Sequence, residues 1–298
     1  MRVTWNSMLD NMLAGMSGAA GNVQKYQTQL ATGKRVNKPS DDPAAVIRIL
    51  ALRSGIRRAE GYLTSMAQAQ EWLTVTEAGL SRGAAIVAQA KECAQRGASD
   101  VLTQAGRDII ARELDELLSE LLGVSNTRHV DRYVFAGARN NAAPFAFQGA
   151  PPTGYTYSGD ETALGWEVEP GAVVNVNTIG GAVFGGADGA FAALIRVRDD
   201  LRAGDVPSLG QQDLELLDRA HERLLSAQAD VGARARGLDA SKDTLTRLRQ
   251  EYHSLLSGYE DADMAEAIMR LQIAETSYAA AQGATARMIR PTLVDLLR

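Results

Sequence analysis

The side chains that could do chemistry in this sequence are few, and at each place their spacing argues against it. In Gly15-Met16-Ser17-Gly18-Ala19 the second glycine comes one place too early for G-x-S-x-G, and no strand precedes it, so Ser17 is not on a nucleophile elbow. Thr32-Gly33-Lys34-Arg35 has Thr28 where a P-loop needs its first glycine and lacks the hydroxyl residue after lysine, so it cradles no phosphate. His129, His221 and His253 are isolated, and Cys93 is the one cysteine, which leaves no zinc set and no intramolecular disulfide. His221 falls on an apolar helical seam, where a hydrogen-bonded packing role is expected. Asp261-Ala262-Asp263 opens like a calcium loop, but Glu266 stands where the loop needs glycine, and charge at a helix N-terminus explains the acids better. Asp160, Glu161, Glu167 and Glu169 read as turn and surface carboxylates. The sequence therefore predicts no enzyme, with no catalytic, cofactor-binding or metal residues.

Charge narrows the remaining classes. The 298 residues carry 31 Lys+Arg against 36 Asp+Glu, a net charge of −5, which disfavours nucleic acid as a partner. Arg53, Arg57 and Arg58 form the main basic cluster, and with Glu60 beside them they read as a solvated or subunit-facing stripe. Hydrophobic residues at 45% provide for a real core. Nowhere do about 18 apolar residues run together, so no membrane-inserted helix is expected. Asn6, Ser7, Asp10 and Asn11 interrupt any apolar signal region, so export, if it occurs, is expected without a cleaved signal peptide.

The elements that must position these residues are mostly helical. Both flanks are rich in Ala, Leu, Gln, Glu and Arg, whereas residues 131–189 hold half of the aromatic side chains among many glycines. Tyr155-Thr156-Tyr157 and Val173-Val174-Asn175-Val176-Asn177 read as short strands. Leu214, Leu217, His221, Leu224, Gln228, Val231, Ala235, Leu238, Lys242, Leu245, Arg249, Tyr252 and Leu256 recur in steps of three and four, predicting a helix over about 211–258, roughly 70 Å long. Two further helical segments are expected, Ile47 to about Ser81 and Gly83 to about Val130, with weak points at Gly97 and Gly106. The fold class is thus mainly α with a small β-rich insert.

The ends carry matching heptad stripes. Leu9, Leu13, Met16, Ala20, Val23 and Leu30 form one, and Met264, Ala267, Leu271, Ala274, Tyr278 and Met288 the other. With modest or small side chains and about three heptads each, a single terminal helix or even the pair is expected to be marginal in water, so these twelve residues are the candidate assembly interface. Between the first stripe and the next helix, Gly33 suits a helix C′ position, Pro39 forces Lys38 extended, and Asp42 with Pro43 suits an N-cap and N1.

The run from Leu30 to Ala45, containing Gly33, Asn37, Pro39, Ser40, Asp41, Asp42 and Pro43, closely resembles the N-terminal signature of the bacterial flagellin family. Tyr133-Val134-Phe135-Ala136-Gly137 with Pro144-Phe145, Tyr157-Ser158-Gly159-Asp160, and Tyr259 to Ile268 resemble its hook-associated branch. The resemblance spans nearly the whole chain; Pro291 departs from it by bending or restarting the last helix. It implies a nested architecture: residues 1–40 plus 259–298 as an inner polymerisation domain of terminal helices in an antiparallel coiled coil, 41–132 plus 190–258 as a long-helix bundle, and 133–189 as an outer β-rich domain. It also implies a structural subunit joining hook to filament outside the cell, with self-association in the axial structure. The partners it implies are hook-associated protein 1, flagellin or the filament cap, and a cytoplasmic export chaperone on the C-terminal helix. A small flagellin, or a soluble coiled-coil adaptor with a ligand-binding β insert, remains the alternative.

Overall fold

The computed structural model describes residues 5–149 and 151–289, so Pro291 and the side chains of Leu9 and Met288 lie outside the described residues. The elements, in chain order, are α1 (Trp5–Thr32), α2 (Pro43–Gly97), α3 (Gln104–Ser125), β1 (Arg128–His129), β2 (Arg132–Tyr133), β3 (Phe145–Gln148), β4 (Gly154–Tyr157), β5 (Gly165–Glu169), β6 (Ala172–Asn175), α4 (Gly180–Val183), α5 (Ala190–Ala203), α6 (Val206–Gly210), α7 (Gln212–Glu260) and α8 (Met264–Ile289). The protein is mainly α, as its composition predicts. Among the described residues no helix is long and apolar enough to cross a membrane.

The chain forms two compact units, one of residues 1–59 with 247–298 and the other of residues 60–246. In the first, α1 packs along α8. An antiparallel bridge between Lys34 and Asp261 closes one end of this helix pair.

In the second unit, α3 lies against α5, and the strands pair as three separate antiparallel hairpins, β1–β2, β3–β4 and β5–β6. Phe135, Phe145, Phe184 and Phe191 form an aromatic knot: Phe135 meets Phe184 edge-on at 5.0 Å, and Phe145, in β3, lies 5.2 Å from Phe191. All four rings are fully or almost fully buried. The predicted α7 seam is present: Leu217, Leu224, Val231, Leu238 and Leu245 are buried, while Lys242 is exposed.

The structure corrects three expectations. Gly83 does not divide two helices, because α2 runs unbroken to Gly97 and the break falls at 98–103. The glycine is there for clearance: a Cβ would come within 2.9 Å of the Phe184 ring. Gly106 likewise lies inside α3, whose N-cap Thr103 accepts from its N–H at 3.3 Å. His221 is half-buried, but its Nδ1 is enclosed and finds no hydrogen-bond partner among the described residues, as its apolar seam neighbours offer none. Cys93 is only 1% exposed in α2, and burial pushes its thiol up, which suits an inert packing residue.

Candidate assembly interface

Sequence dictates the geometry where the two ends of the chain meet. Gly33 adopts φ +70° just past α1 and donates its N–H to Gln29 O at 2.8 Å, the C′ conformation that glycine supplies at least cost. The chain then turns around Asp41, whose Oδ2 accepts from Asn37 N–H at 3.0 Å and Lys38 N–H at 2.9 Å. Slight burial pushes the Asp41 carboxyl up, but these two N–H donors, with Lys25 and Lys38, outweigh it and hold the group below its ordinary value. Asp42 Oδ1 accepts from Ala45 N–H at 2.9 Å, so it caps α2, and Pro43 occupies the first helical position. Asn37 Nδ2 donates to Lys34 O at 2.8 Å. Pro39 and Ser40 are exposed at the tip of the turn.

The loop is tied to the far end of the sequence. Arg35 N–H donates to Glu260 O at 2.7 Å and Ala262 N–H to Gly33 O at 2.9 Å. Glu260 is 3% exposed and its carboxylate pairs with both Lys34 and Arg53, the latter at 2.6 Å. Burial raises the Glu260 pKa, yet hydrogen bonds from the two cations prevail and lower it. Arg48 Nη1 donates to the Tyr259 hydroxyl at 2.6 Å, and Val36, Ala45 and Ile49 form a small core with Val46, Leu256 and Tyr259 against it. Arg53 thus has a structural partner, whereas Arg57 and Arg58 of the same cluster are exposed. Asp263 caps α8 by accepting from Ala265 N–H at 2.9 Å and Glu266 N–H at 3.2 Å, so its charge serves a helix start.

Along the α1–α8 pair the predicted stripe residues face unequal surroundings. Ala267 and Ala274 are buried; Met16, Ala20, Val23, Leu30, Leu271 and Tyr278 are half-buried; Leu13 and Met264 remain 47% and 46% exposed. Ile268, Met269 and Ile273 of α8, which the heptad reading passes over, are exposed at 48%, 58% and 65%. These helices therefore bury a narrow seam of small residues on each other and leave large apolar side chains facing outward. Gln29, 8% exposed, donates from Nε2 to Arg35 O at 2.8 Å and ties the seam's end to the loop. Neither Gln29 nor Glu260 stands out in the sequence, since a lone polar residue there reads as a solvated position.

Comparison with known proteins bears on this arrangement. Residues 3–140 match the family of the bacterial flagellin N-terminal helical region. Over 185 residues the chain is 26% identical to flagellar hook-associated protein 3 of Salmonella typhimurium, a match spanning 62% of this chain and 57% of that relative, little more than half its length. It is 25% identical over 281 residues to a flagellin of Bacillus subtilis, covering 89% of each. The solved structure of the flagellar junction protein from Legionella pneumophila shares the fold with a TM-score of 0.60 at 17% identity, over 73% of this chain and all of that one.

Proposed function

We propose that this chain is a flagellin-like structural subunit of the hook-associated protein 3 type, forming the layer between hook and filament, a reading supported by the match of residues 3–140 to the flagellin N-terminal helical region. The observation that carries this reading is the α1–α8 pair, a narrow small-residue seam with exposed Ile268, Met269 and Ile273 that a single chain leaves uncovered. Burying such groups stabilises by about 25 cal/mol per Å2, so a lattice that covers several faces at once offsets the ordering cost that one chain alone does not.

In this proposal residues 1–40 with 259–298 form the polymerising part, 41–132 with 190–258 the bundle, and 133–189 the outer β-rich part. The interface residues are Leu9, Leu13, Met16, Ala20, Val23, Leu30, Met264, Ala267, Leu271, Ala274, Tyr278 and Met288. The role is conformational and not enzymatic. Partners are other copies of the chain, hook-associated protein 1, flagellin or the filament cap, and an export chaperone at the C-terminal helix. The subunit works outside the cell, in the flagellum.

A second reading, a small flagellin, is favoured by the nearly full-length match to the Bacillus subtilis protein. Electron microscopy of the purified protein under assembly conditions separates the two. A junction subunit gives no long filaments on its own; long filaments overturn that assignment in favour of the flagellin.

A further inference from the structure

Where α5 turns through α6 into α7, one cation serves several carboxylates. Asp213, in the first turn of α7, is wholly buried, and its Oδ1 lies 3.1 Å from Arg196 Nε. The same nitrogen is 3.7 Å from Asp200 Oδ2, and Arg196 Nη2 donates to Gln212 Oε1 at 2.8 Å. Asp205, the N-cap of α6, adds another negative group, held by the Ser208 hydroxyl at 2.8 Å and the Ser208 N–H at 3.3 Å. The other cations of α5 are engaged elsewhere: Arg198 pairs with Asp199 at 2.6 Å and Arg202 with Asp115 at 2.5 Å. Neither Asp213 oxygen receives a hydrogen bond from a donor among the described residues. A buried carboxylate without donors is costly, and two carboxylates on one guanidinium relieve that cost by keeping a proton between them.

We propose that Asp213 and Asp200 share one proton beside Arg196, which makes the α5–α6–α7 corner a proton-operated latch, tight with the proton and looser without it. Burial of Asp213, followed by the charge and hydrogen bonding of Asp200, pushes its carboxyl up to about 7; Arg196 opposes this and Asp205 adds to it. The amide dipoles of the first turn of α7 favour the anion, so the latch depends on Asp200 to oppose them. In the protonated state the Asp213 hydroxyl donates to Asp200, which gives the buried group its missing partner. The sign follows from linkage. An unfolded Asp loses its proton near 3.8, so stability from the retained proton is complete below that pH and is lost progressively as pH rises through about 7.

The test is a carboxyl-carbon NMR titration of the full chain, with Asp213→Asn used to assign the Asp213 signal. The expected midpoint lies near 7 and falls toward the ordinary range in Asp200→Asn; a midpoint near 4 in the parent chain overturns the latch. Urea unfolding adds a second readout. Asp213→Asn should gain over the parent by roughly tenfold or more in the folding equilibrium constant on going from pH 5 to pH 8, since each unit of pKa shift is a tenfold effect. A gain or loss that stays constant with pH contradicts the proposal. If Asp213→Asn does not fold, selective labelling assigns the parent titration, which decides alone.

Discussion

The α1–α8 pair and the unit of residues 60–246 solve the burial problem in opposite ways. In the latter, Met66, Leu73, Leu114, Leu118, Leu121, Phe135 and Phe184 are entirely shielded from solvent by their own chain. Along the helix pair the buried apolar side chains described are the small Ala267 and Ala274, while larger neighbours such as Met269 and Ile273 stay mostly exposed. Side-chain size explains the contrast: small residues allow close approach but bury little area, so the pair gains little from its own seam. One region covers its large apolar side chains with its own residues; the other leaves several of them facing solvent.

Breaking that contrast should give effects of very different size. The largest is expected at Leu271, where Leu271→Asp abolishes incorporation into flagella while urea unfolding of the 60–246 unit stays unchanged; normal incorporation removes the zipper from the account. Within that unit, Phe135→Ala should cost about 3–5 kcal/mol in urea unfolding, because an enclosed ring leaves a cavity the aromatic knot cannot fill. Glu260→Ala should cost the loop contact about 1–3 kcal/mol, seen as faster hydrogen exchange at Arg35 and Ala262, as Lys34 and Arg53 lose a shared hydrogen-bonded carboxylate. Glu260 has a lowered folded-state pKa, so its contribution is present above the unfolded value of about 4.5 and is lost as pH falls through the folded value. The same exchange measurement taken at a pH below that folded value should reproduce the variant. Smallest is Gly33→Ala, about 1–2 kcal/mol on thermal unfolding, for a φ of +70° with open space around the added methyl.

Local chemistry was legible in the sequence where the cause was local. Gly33, Asp42 and Pro43 end one helix and start the next because capping depends on neighbouring residues alone. The α7 seam from Leu217 to Leu245 could be read because a 3.5-residue repeat needs no knowledge of its partner. Gly83 misled because glycine marks both helix breaks and close approach, and only the position of Phe184, far along the chain, decides between them. Helix α5 escaped notice because its glycine-rich approach, Gly185, Gly186 and Gly189, resembles the hairpin region before it. The pairing of Glu260 with Lys34 and Arg53 was hidden for the same reason as Gly83: nothing near Glu260 in the sequence announces a buried ion pair. The seam between α1 and α8 was readable as a stripe, yet the exposed ridge of Ile268, Met269 and Ile273 lies off it, since a two-helix heptad describes only the face that the two helices turn to each other.

The most direct measurement is immunogold labelling of this protein along isolated flagella. The account predicts a narrow band of label at the boundary between hook and filament. Label distributed along the whole filament, or its absence from flagella that are otherwise intact, contradicts it.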